Sequence, residues 1–81
     1  MKMLIVVEHS PKQRFLVSIH TKELAKEVKR LIDRKRYSHA IVTALSNGRF
    51  EREVEYHELP TIEADLILSE NNASWDIIAH P

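Results

Sequence analysis

The chain has 81 residues, 43% of them hydrophobic and 30% charged, which fits one small soluble domain over residues 1–81 and leaves no length for a second core. It contains no cysteine, so disulfide bonds, thiolate metal sites and cysteine nucleophiles are excluded together. Twelve basic and twelve acidic residues give a net charge of zero, so no overall field draws the chain toward nucleic acid or membrane.

The first two predicted elements form a β-hairpin. Lys2–His9 is a continuous apolar run rich in β-branched residues, which is too short to favour a helix. Arg14–His20 alternates as a half-buried strand does, with three apolar side chains on one face: Phe15, Val17 and Ile19. The polar residues Ser10–Gln13 between the strands predict a four-residue loop.

Helical periodicity begins at Lys22 and continues to about Arg36. Thr21 stands where an N-cap belongs, and Glu23 lies in the first turn, where a negative charge favours the helix dipole. Apolar residues recur at intervals of three and four: Leu24, Ala25, Val28, Leu31 and Ile32. The pattern predicts one amphipathic helix.

The dipeptide Asn47-Gly48 predicts a second hairpin, because both central residues of a type I′ turn need positive φ. Its strands would be Ser38–Leu45 and Arg49–Leu59. A two-residue loop fixes the register of such a hairpin. On the core side the predicted pairs are Leu45 with Phe50, Thr43 with Arg52, Ile41 with Val54 and His39 with Tyr56. On the outer side they are Ala44 with Glu51, Val42 with Glu53 and Ala40 with Glu55.

Thr61–Glu70, after Pro60, allows two interpretations. It is either a short helix or, as we favour, a strand with four apolar residues facing inward: Ile62, Ala64, Leu66 and Leu68. Asn71–Ser74 then predicts a turn and Trp75–His80 a last short strand. The element order becomes β-β-α-β-β-β-β, which is an α+β fold with one helix on a mostly antiparallel sheet.

The longest uninterrupted apolar run, Met3–Val7, is too short for a membrane-spanning helix of about 20 residues. No apolar signal-peptide core follows a basic start. The sequence therefore predicts a cytoplasmic protein with no membrane partner.

Imidazole is a common metal ligand, and the chain has five histidines: His9, His20, His39, His57 and His80. None of them has the spacing of a metal motif, and the predicted register puts His39 and His57 on opposite faces. No glycine-rich phosphate loop, HExxH helix or nucleophile elbow is present, and Ser18 with His20 is treated as sequence proximity only. We therefore expect no metal, no cofactor and no catalysis, and a small enzyme is the third hypothesis.

Charge is divided unevenly along the chain. Residues 1–50 carry eleven basic and four acidic residues, a net charge of +7, and residues 51–81 carry one basic and eight acidic residues, a net charge of −7. Most of the positive charge belongs to the predicted helix and its end: Lys22, Lys26, Lys29, Arg30, Arg34, Lys35 and Arg36. Like charges four residues apart cost a helix about 0.2–0.5 kcal/mol per pair, which hints at a use beyond stability.

Two interpretations of this basic helix stay open. It is a phosphate-binding surface for nucleic acid or an ordinary solvated helix face. Single-strand binding also uses exposed aromatic residues among the basic ones, and the sequence does not interleave them there. We favour the solvated face.

Glu51, Glu53 and Glu55 alternate along the second predicted hairpin and would project from one face about 6.7 Å apart. That spacing is close to the spacing of nucleic-acid phosphates, so the strand could act as a phosphate mimic. Alternating carboxylates also protect an exposed strand from edge-to-edge aggregation. We favour this second interpretation.

A single helix covers one face of a sheet, and the opposite face of the predicted sheet is apolar. Six residues form this predicted patch: Ile5, Val7, Leu16, Ala40, Val42 and Ala44. Monomers rarely expose a patch of that size. The C-terminal segment, a second copy of the chain or a foreign protein could cover the patch, and we favour a homodimer.

Three segments follow the layout of known small proteins: Thr21–Arg36, Leu45–Phe50 and Asn72–Asp76. In these segments the chain resembles phage-encoded anti-CRISPR and host-takeover proteins, several of which have a hairpin, a basic helix, an Asn-Gly hairpin and a final strand with tryptophan. The resemblance implies a non-enzymatic inhibitor that binds a host protein or nucleoprotein complex. We predict a small binding protein that occupies a surface of a larger partner, with nucleic-acid binding by the basic helix as the alternative.

Overall fold

The computed structural model describes residues 2–75, which form a five-stranded mixed sheet with two helices on one face. The elements in chain order are β1 (Met3–Ser10), β2 (Gln13–Ile19), α1 (Lys22–Asp33), α2 (Tyr37–Asn47), β3 (Arg49–Glu53), a 3₁₀ helix (Tyr56–Glu58), β4 (Leu66–Leu68) and β5 (Ala73–Trp75). The sheet order is β3-β2-β1-β4-β5, in which β1 and β4 are parallel and the other neighbours antiparallel. The α+β class is confirmed, and the single-helix order β-β-α-β-β-β-β is wrong.

The first hairpin is confirmed, but its connection is shorter than the predicted four-residue loop. Ser10 pairs with Gln13, and the register shifts between Glu8 and Ser10, so His9 forms a bulge. Because side chains alternate along a strand, this one-residue shift exchanges the two faces of β1 before the bulge, relative to the predicted register. Ile5 now pairs with Val17 and faces the helices.

Helix α1 is confirmed with its predicted cap. The Thr21 hydroxyl oxygen accepts a hydrogen bond from the Leu24 amide at 3.2 Å. The helix ends at Asp33 and not at Arg36, because Lys35 adopts the left-handed conformation with φ 59°. The Lys35 amide donates to the Ile32 carbonyl and the Arg36 amide to the Leu31 carbonyl, which caps the C-terminus.

The predicted strand Ser38–Leu45 is wrong, because this segment lies within helix α2. Its apolar side chains recur at intervals of three and four, and they pack against α1 and the sheet: Tyr37, Ala40, Ile41, Ala44 and Leu45. The alanines are small enough for a close approach to the sheet. The β-branched run of residues 41–43 favoured a strand locally, and burial of this helical stripe outweighs it.

Asn47-Gly48 therefore does not form a hairpin turn. Asn47 is the last residue of α2, and Gly48 follows it with φ −81°, a backbone conformation open to any residue. Glycine is needed here for space. A Cβ atom on Gly48 would lie 2.5 Å from Val17 Cγ1 and 2.6 Å from the Ala44 carbonyl oxygen.

The predicted partner and length of Arg49–Leu59 are also wrong. The strand β3 ends at Glu53 and pairs with β2, so none of the seven predicted cross-strand pairs with residues 39–45 forms. The register between β2 and β3 shifts between Leu16 and Val17, which leaves Glu51 in a bulge. Residues 56–58 then form the 3₁₀ helix.

The segment after Pro60 contains a strand, as favoured, but only β4 is regular. All four residues predicted to face inward are buried: Ile62, Ala64, Leu66 and Leu68. The last described strand begins at Ala73, so the predicted turn Asn71–Ser74 extends two residues too far. The remainder of the predicted strand Trp75–His80 lies outside the described residues.

Two apolar clusters hold the sheet, one on each face. The larger cluster lies between the helices and the residues of β1, β2 and β4 that face them. The second is built from Val6, Val54, Ile62 and Ala64, so the irregular chain after β3 covers the face opposite the helices. Each fully buried aliphatic side chain contributes about 1.5–3 kcal/mol, so both clusters stabilise the fold.

The predicted apolar patch does not exist as a surface. Four of its six residues are fully buried: Ile5, Val7, Ala40 and Ala44. Leu16 is half-buried against the second cluster, and Val42 is 61% exposed on α2. The bulge at His9 and the helical state of residues 37–47 account for the error. The prediction of a homodimer rested on this patch, so the structure no longer supports it.

Candidate functional site

The outer side of α1 carries a cluster of lysines. Lys22, Lys26 and Lys29 lie at positions i, i+4 and i+7, so their side chains share one face of the helix. With Ala25 they line a shallow groove of about 300 Å³. We call Lys22, Lys26 and Lys29 the lysine face.

The lysines of the lysine face form no ion pair within the part of the chain that the structure describes. The ion pairs found there join Arg14 to Glu8, Arg30 to Glu27 and Arg52 to Glu58, and none involves a lysine of α1. The three ammonium groups are exposed and carry their charge into solvent. An anionic ligand would meet three cations along about 10 Å of helix.

Arg30 and Arg34 were predicted to extend the same row, and the structure separates Arg30 from it. The Arg30 guanidinium makes a bidentate contact with Glu27, at 2.5 and 3.2 Å. This hydrogen bond is the main reason that the pKa of Glu27 lies below its ordinary value of 4.5. Arg30 is therefore a poorer anion ligand than the lysines.

Arg34, Lys35 and Arg36 form a second basic group at the connection between α1 and α2. All three side chains are exposed. Arg36 Nη2 lies 3.5 Å from His39 Nε2, and the left-handed Lys35 turns the chain between the two helices. The group lies beyond the C-terminal end of α1, so it extends the positive surface around that end.

Trp75 lies beside the lysine face, which the sequence did not indicate. The Lys29 ammonium nitrogen is 5.6 Å from the centroid of the indole ring, a cation–π contact. Trp75 lies on the edge strand β5 and pairs with Leu66 of β4. Its side chain therefore lies on the same face of the sheet as Leu66, which is the face that the helices cover. Trp75 remains 51% exposed. An exposed aromatic residue therefore does lie next to one of the basic residues of α1.

The predicted row of carboxylates does not form. Glu51 occupies the bulge and turns to Ser18, whereas Glu53 pairs with Phe15 and so lies on the helix side of the sheet. Glu55 is outside the strand, where it caps the 3₁₀ helix. The bulge interrupts the alternation that would have set all three on one face.

Ser18, His20 and Glu51 form a polar network across β2 and β3. The Ser18 hydroxyl donates to Glu51 Oε2 at 2.6 Å, and it lies 2.9 Å from His20 Nε2. Because the hydroxyl has a single proton and gives it to the carboxylate, Nε2 of His20 carries a proton and donates to Ser18. The seryl oxygen is fully buried and placed between the other two groups, so no substrate reaches it as a nucleophile.

This network predicts acid sensitivity. The hydrogen bond from Ser18, followed by the charges of Lys2 and Arg49, holds the pKa of Glu51 below its ordinary value of 4.5. A carboxyl whose pKa is lower in the folded state stabilises the fold above its unfolded pKa, and this contribution is lost as the pH falls through the folded pKa. We expect the free energy of unfolding to fall as the pH drops from about 5 to about 3.

The measurement is urea denaturation across that pH range for the wild type, Glu51→Gln and Glu53→Gln. Glu51→Gln should reduce the acid dependence, because the glutamine has no proton to take up, and the part that remains comes from other carboxyls with a lowered pKa, such as Glu27 and Glu58. Glu53→Gln is the control, since the Glu53 carboxylate makes no hydrogen bond among residues 2–75. Equal acid dependence in Glu51→Gln and wild type would contradict the assigned role of the Ser18–Glu51 hydrogen bond.

Arg14 is the one charged residue that is buried between residues 2 and 75, with 8% of its surface exposed. Its Nη2 donates to the Pro11 carbonyl at 3.0 Å, Nε lies 3.6 Å from Glu8, and the guanidinium lies 4.8 Å from the centre of the Tyr56 ring. An open cleft of about 340 Å³ adjoins Arg14, and the rim of this cleft also carries Glu8 and Glu70. These contacts tie the first hairpin to the 3₁₀ helix, and the two rim carboxylates disfavour an anionic ligand.

The histidines do not assemble a metal centre within residues 2–75, where no three His, Asp or Glu side chains come together in a suitable group. His39 lies on α2 and His57 in the 3₁₀ helix, not on one hairpin as predicted. His80 lies outside the described residues. No helix between residues 2 and 75 has the length and apolar character needed to cross a membrane.

No protein family model, no curated protein and no solved structure matches this chain. The resemblance to anti-CRISPR and host-takeover proteins also loses one of its three segments, because Leu45–Phe50 is not a hairpin turn.

Proposed function

We propose that the protein is a small binding protein that acts by contact and not by catalysis, and that its lysine face binds nucleic acid. The observation that carries the proposal is the row of Lys22, Lys26 and Lys29, which form no ion pair among residues 2–75 and of which Lys29 contacts an exposed tryptophan. The net charge of zero does not argue against this role, because attraction over a short distance depends on local charge.

The spacing of the lysines suits a phosphate backbone. Along the helix axis the three Cα atoms are separated by about 6 and about 4.5 Å. Flexible lysine side chains bridge the remaining difference to successive phosphates, each releasing a condensed counterion on contact. Arg34, Lys35 and Arg36 would continue the phosphate path around the end of α1.

Nucleic acid is favoured over an acidic protein partner because of the aromatic residue. A carboxylate-rich protein surface would satisfy the lysines and leave the indole without a matching group. A nucleotide offers both a phosphate and a flat ring within one unit. Occupation of a larger protein's surface, our first hypothesis from the sequence, becomes the alternative outcome of the test.

The test is fluorescence anisotropy of labelled oligonucleotides at low and near-physiological salt. Replacing Lys22, Lys26 and Lys29 by glutamine should weaken binding by on the order of tenfold to a hundredfold at low salt. The same variant should reduce the slope of log affinity against log salt by about 2 for a single strand, since each phosphate contact contributes about 0.7.

The matched control removes the same number of charges elsewhere. Lys2, Lys12 and Arg49 are exposed and lie outside α1, so replacing them by glutamine changes the net charge equally. This control should bind nearly as the wild type does. Equal weakening in both triple variants would reveal nonspecific attraction, and no binding at low salt would overturn the proposal in favour of a protein partner.

A further inference from the structure

Trp75 differs from the other exposed aromatic residues among residues 2–75 in what surrounds it. Phe50 packs edge-on against Phe15, with ring centroids 5.8 Å apart, and Tyr56 lies under the Arg14 guanidinium. Trp75 has the Lys29 ammonium as its neighbour, and about half of the indole faces solvent. A flat apolar ring thus adjoins the positive groove on α1.

We infer that the ligand of this surface is single-stranded nucleic acid, with an unpaired base stacked on Trp75 and the adjoining phosphates on the lysine face. This inference rests on the proposed function and adds the class of nucleic acid. Base stacking on an aromatic side chain tolerates any sequence, because every base has a π-face. A duplex keeps its base faces stacked internally and offers an indole no face except at its ends.

The contact between Lys29 and Trp75 places a positive charge next to the ring on which a base would stack. The Lys29 ammonium lies over one face of the indole, so a base would stack on the other face, with its phosphate near the ammonium. The backbone of Trp75 is held in place by its pairing with Leu66, a fully buried residue of β4.

A membrane surface is the competing occupant, since tryptophan and lysine also occur together at lipid headgroups. Helices that lie in the membrane interface insert one broad apolar face and carry their lysines on the opposite, polar face. The apolar residues of α1 point into the core: Ala25, Val28 and Leu31 are buried, and Leu24 and Ile32 pack against them. A single half-exposed indole offers too little apolar area for stable insertion.

Intrinsic fluorescence tests the inference directly, because Trp75 is the only tryptophan in the chain. The full chain is titrated with oligothymidine, with oligouridine, with a blunt duplex of the same length and with inorganic polyphosphate. We expect the two single strands to quench the emission strongly and the duplex weakly. Polyphosphate should compete for the lysines without quenching, since it has no bases.

Affinities of variants complete the test. Trp75→Ala should weaken single-strand binding about tenfold while leaving polyphosphate binding unchanged, and Trp75→Phe should recover part of the loss. Phe50→Ala, which removes an exposed aromatic residue away from the lysine face, is the control and should bind as the wild type does. If Trp75→Ala fails to fold, Trp75→Phe and the quenching of the wild type still decide the question.

The outcomes separate this inference from the proposed function. Binding that needs the lysines but is equal for single strand, duplex and polyphosphate, without quenching, would overturn the inference and leave the function intact. Absence of lysine-dependent binding would overturn both. Stronger binding and a larger emission shift with anionic phosphatidylserine vesicles than with single strands would replace the inferred ligand by a lipid surface.

Discussion

Gly48→Ala is expected to lower the free energy of unfolding by about 2 to 4 kcal/mol. The new Cβ would lie 2.5 Å from Val17 Cγ1, 2.6 Å from the Ala44 carbonyl oxygen and 3.0 Å from Ile19 Cδ1. Two of these neighbours are buried side chains and the third is helix backbone, so relief requires α2 to move away from β2. Urea denaturation measures the loss.

Asn47→Ala is the control for this prediction. Asn47 is exposed at the end of α2, where its side-chain amide donates to the Thr43 carbonyl at 3.1 Å. Loss of one exposed hydrogen bond in a helix should change stability by no more than about 0.5 kcal/mol. A type I′ turn would instead need positive φ at both positions, so equal damage from both substitutions would contradict the helical assignment of residues 37–47.

Ile5→Asp and Val42→Asp are expected to differ strongly, although both residues belong to the patch predicted from the sequence. Ile5 is fully buried between the sheet and the helices, so an aspartate there places an unpaired charge in the core. We expect a loss of at least about 4 kcal/mol, enough to unfold a domain of this size. Val42 is 61% exposed, and its replacement should cost no more than about 1 kcal/mol.

Circular dichroism with urea titration, together with sedimentation, checks this pair. The expected result is an unfolded Ile5→Asp chain and a folded Val42→Asp chain of unchanged mass. If both variants folded and both halved the mass of a wild-type dimer, the two side chains would share an exposed interface. That result would reinstate the apolar patch and contradict the burial of Ile5.

Local patterns were sufficient where an element is specified by its own residues. The first hairpin follows from alternation on β2, and α1 follows from its periodic apolar residues and the Thr21 cap. The burial of Ile62, Ala64, Leu66 and Leu68 also follows from alternation, although these residues divide between two clusters on opposite faces of the sheet. A period-two pattern can identify buried positions without identifying what buries them.

Residues 37–47 could not be assigned from local signals because two signals conflict. Ile41, Val42 and Thr43 are β-branched and precede Asn-Gly, the strongest short hairpin signal. The competing helical stripe includes Ala40 and Ala44, whose value depends on close packing against the sheet. Asn and Gly also end helices well, so the dipeptide does not distinguish the two structures.

The error in the first hairpin had a larger consequence than its size implies. The bulge at His9 adds one residue to β1, and nothing in the sequence near His9 distinguishes a bulge from a longer loop. A shift of one residue exchanges the two faces of a strand. That exchange alone placed Ile5 and Val7 on the wrong side and contributed two of the six residues of the predicted patch.

Half of the candidate site was visible in the sequence. The lysines of α1 share a face because of their spacing, and the helix itself was predictable. The indole was not, because its position depends on the parallel pairing of β4 with β1, which brings residues distant in the chain to the side of α1. The sequence likewise did not show that Arg30 is separated from the row of lysines, because that separation results from its ion pair with Glu27.

The most direct test of the central claim, that the lysine face with Trp75 is the nucleic-acid contact surface, is chemical-shift mapping by NMR on the isotope-labelled full chain during titration with oligothymidine. We expect the largest shifts at the amides of Lys22, Lys26 and Lys29 and at the indole N–H of Trp75, with little change at Glu53 or Tyr56. Shifts concentrated around β3 and the 3₁₀ helix, or no shifts at low salt, would contradict the claim.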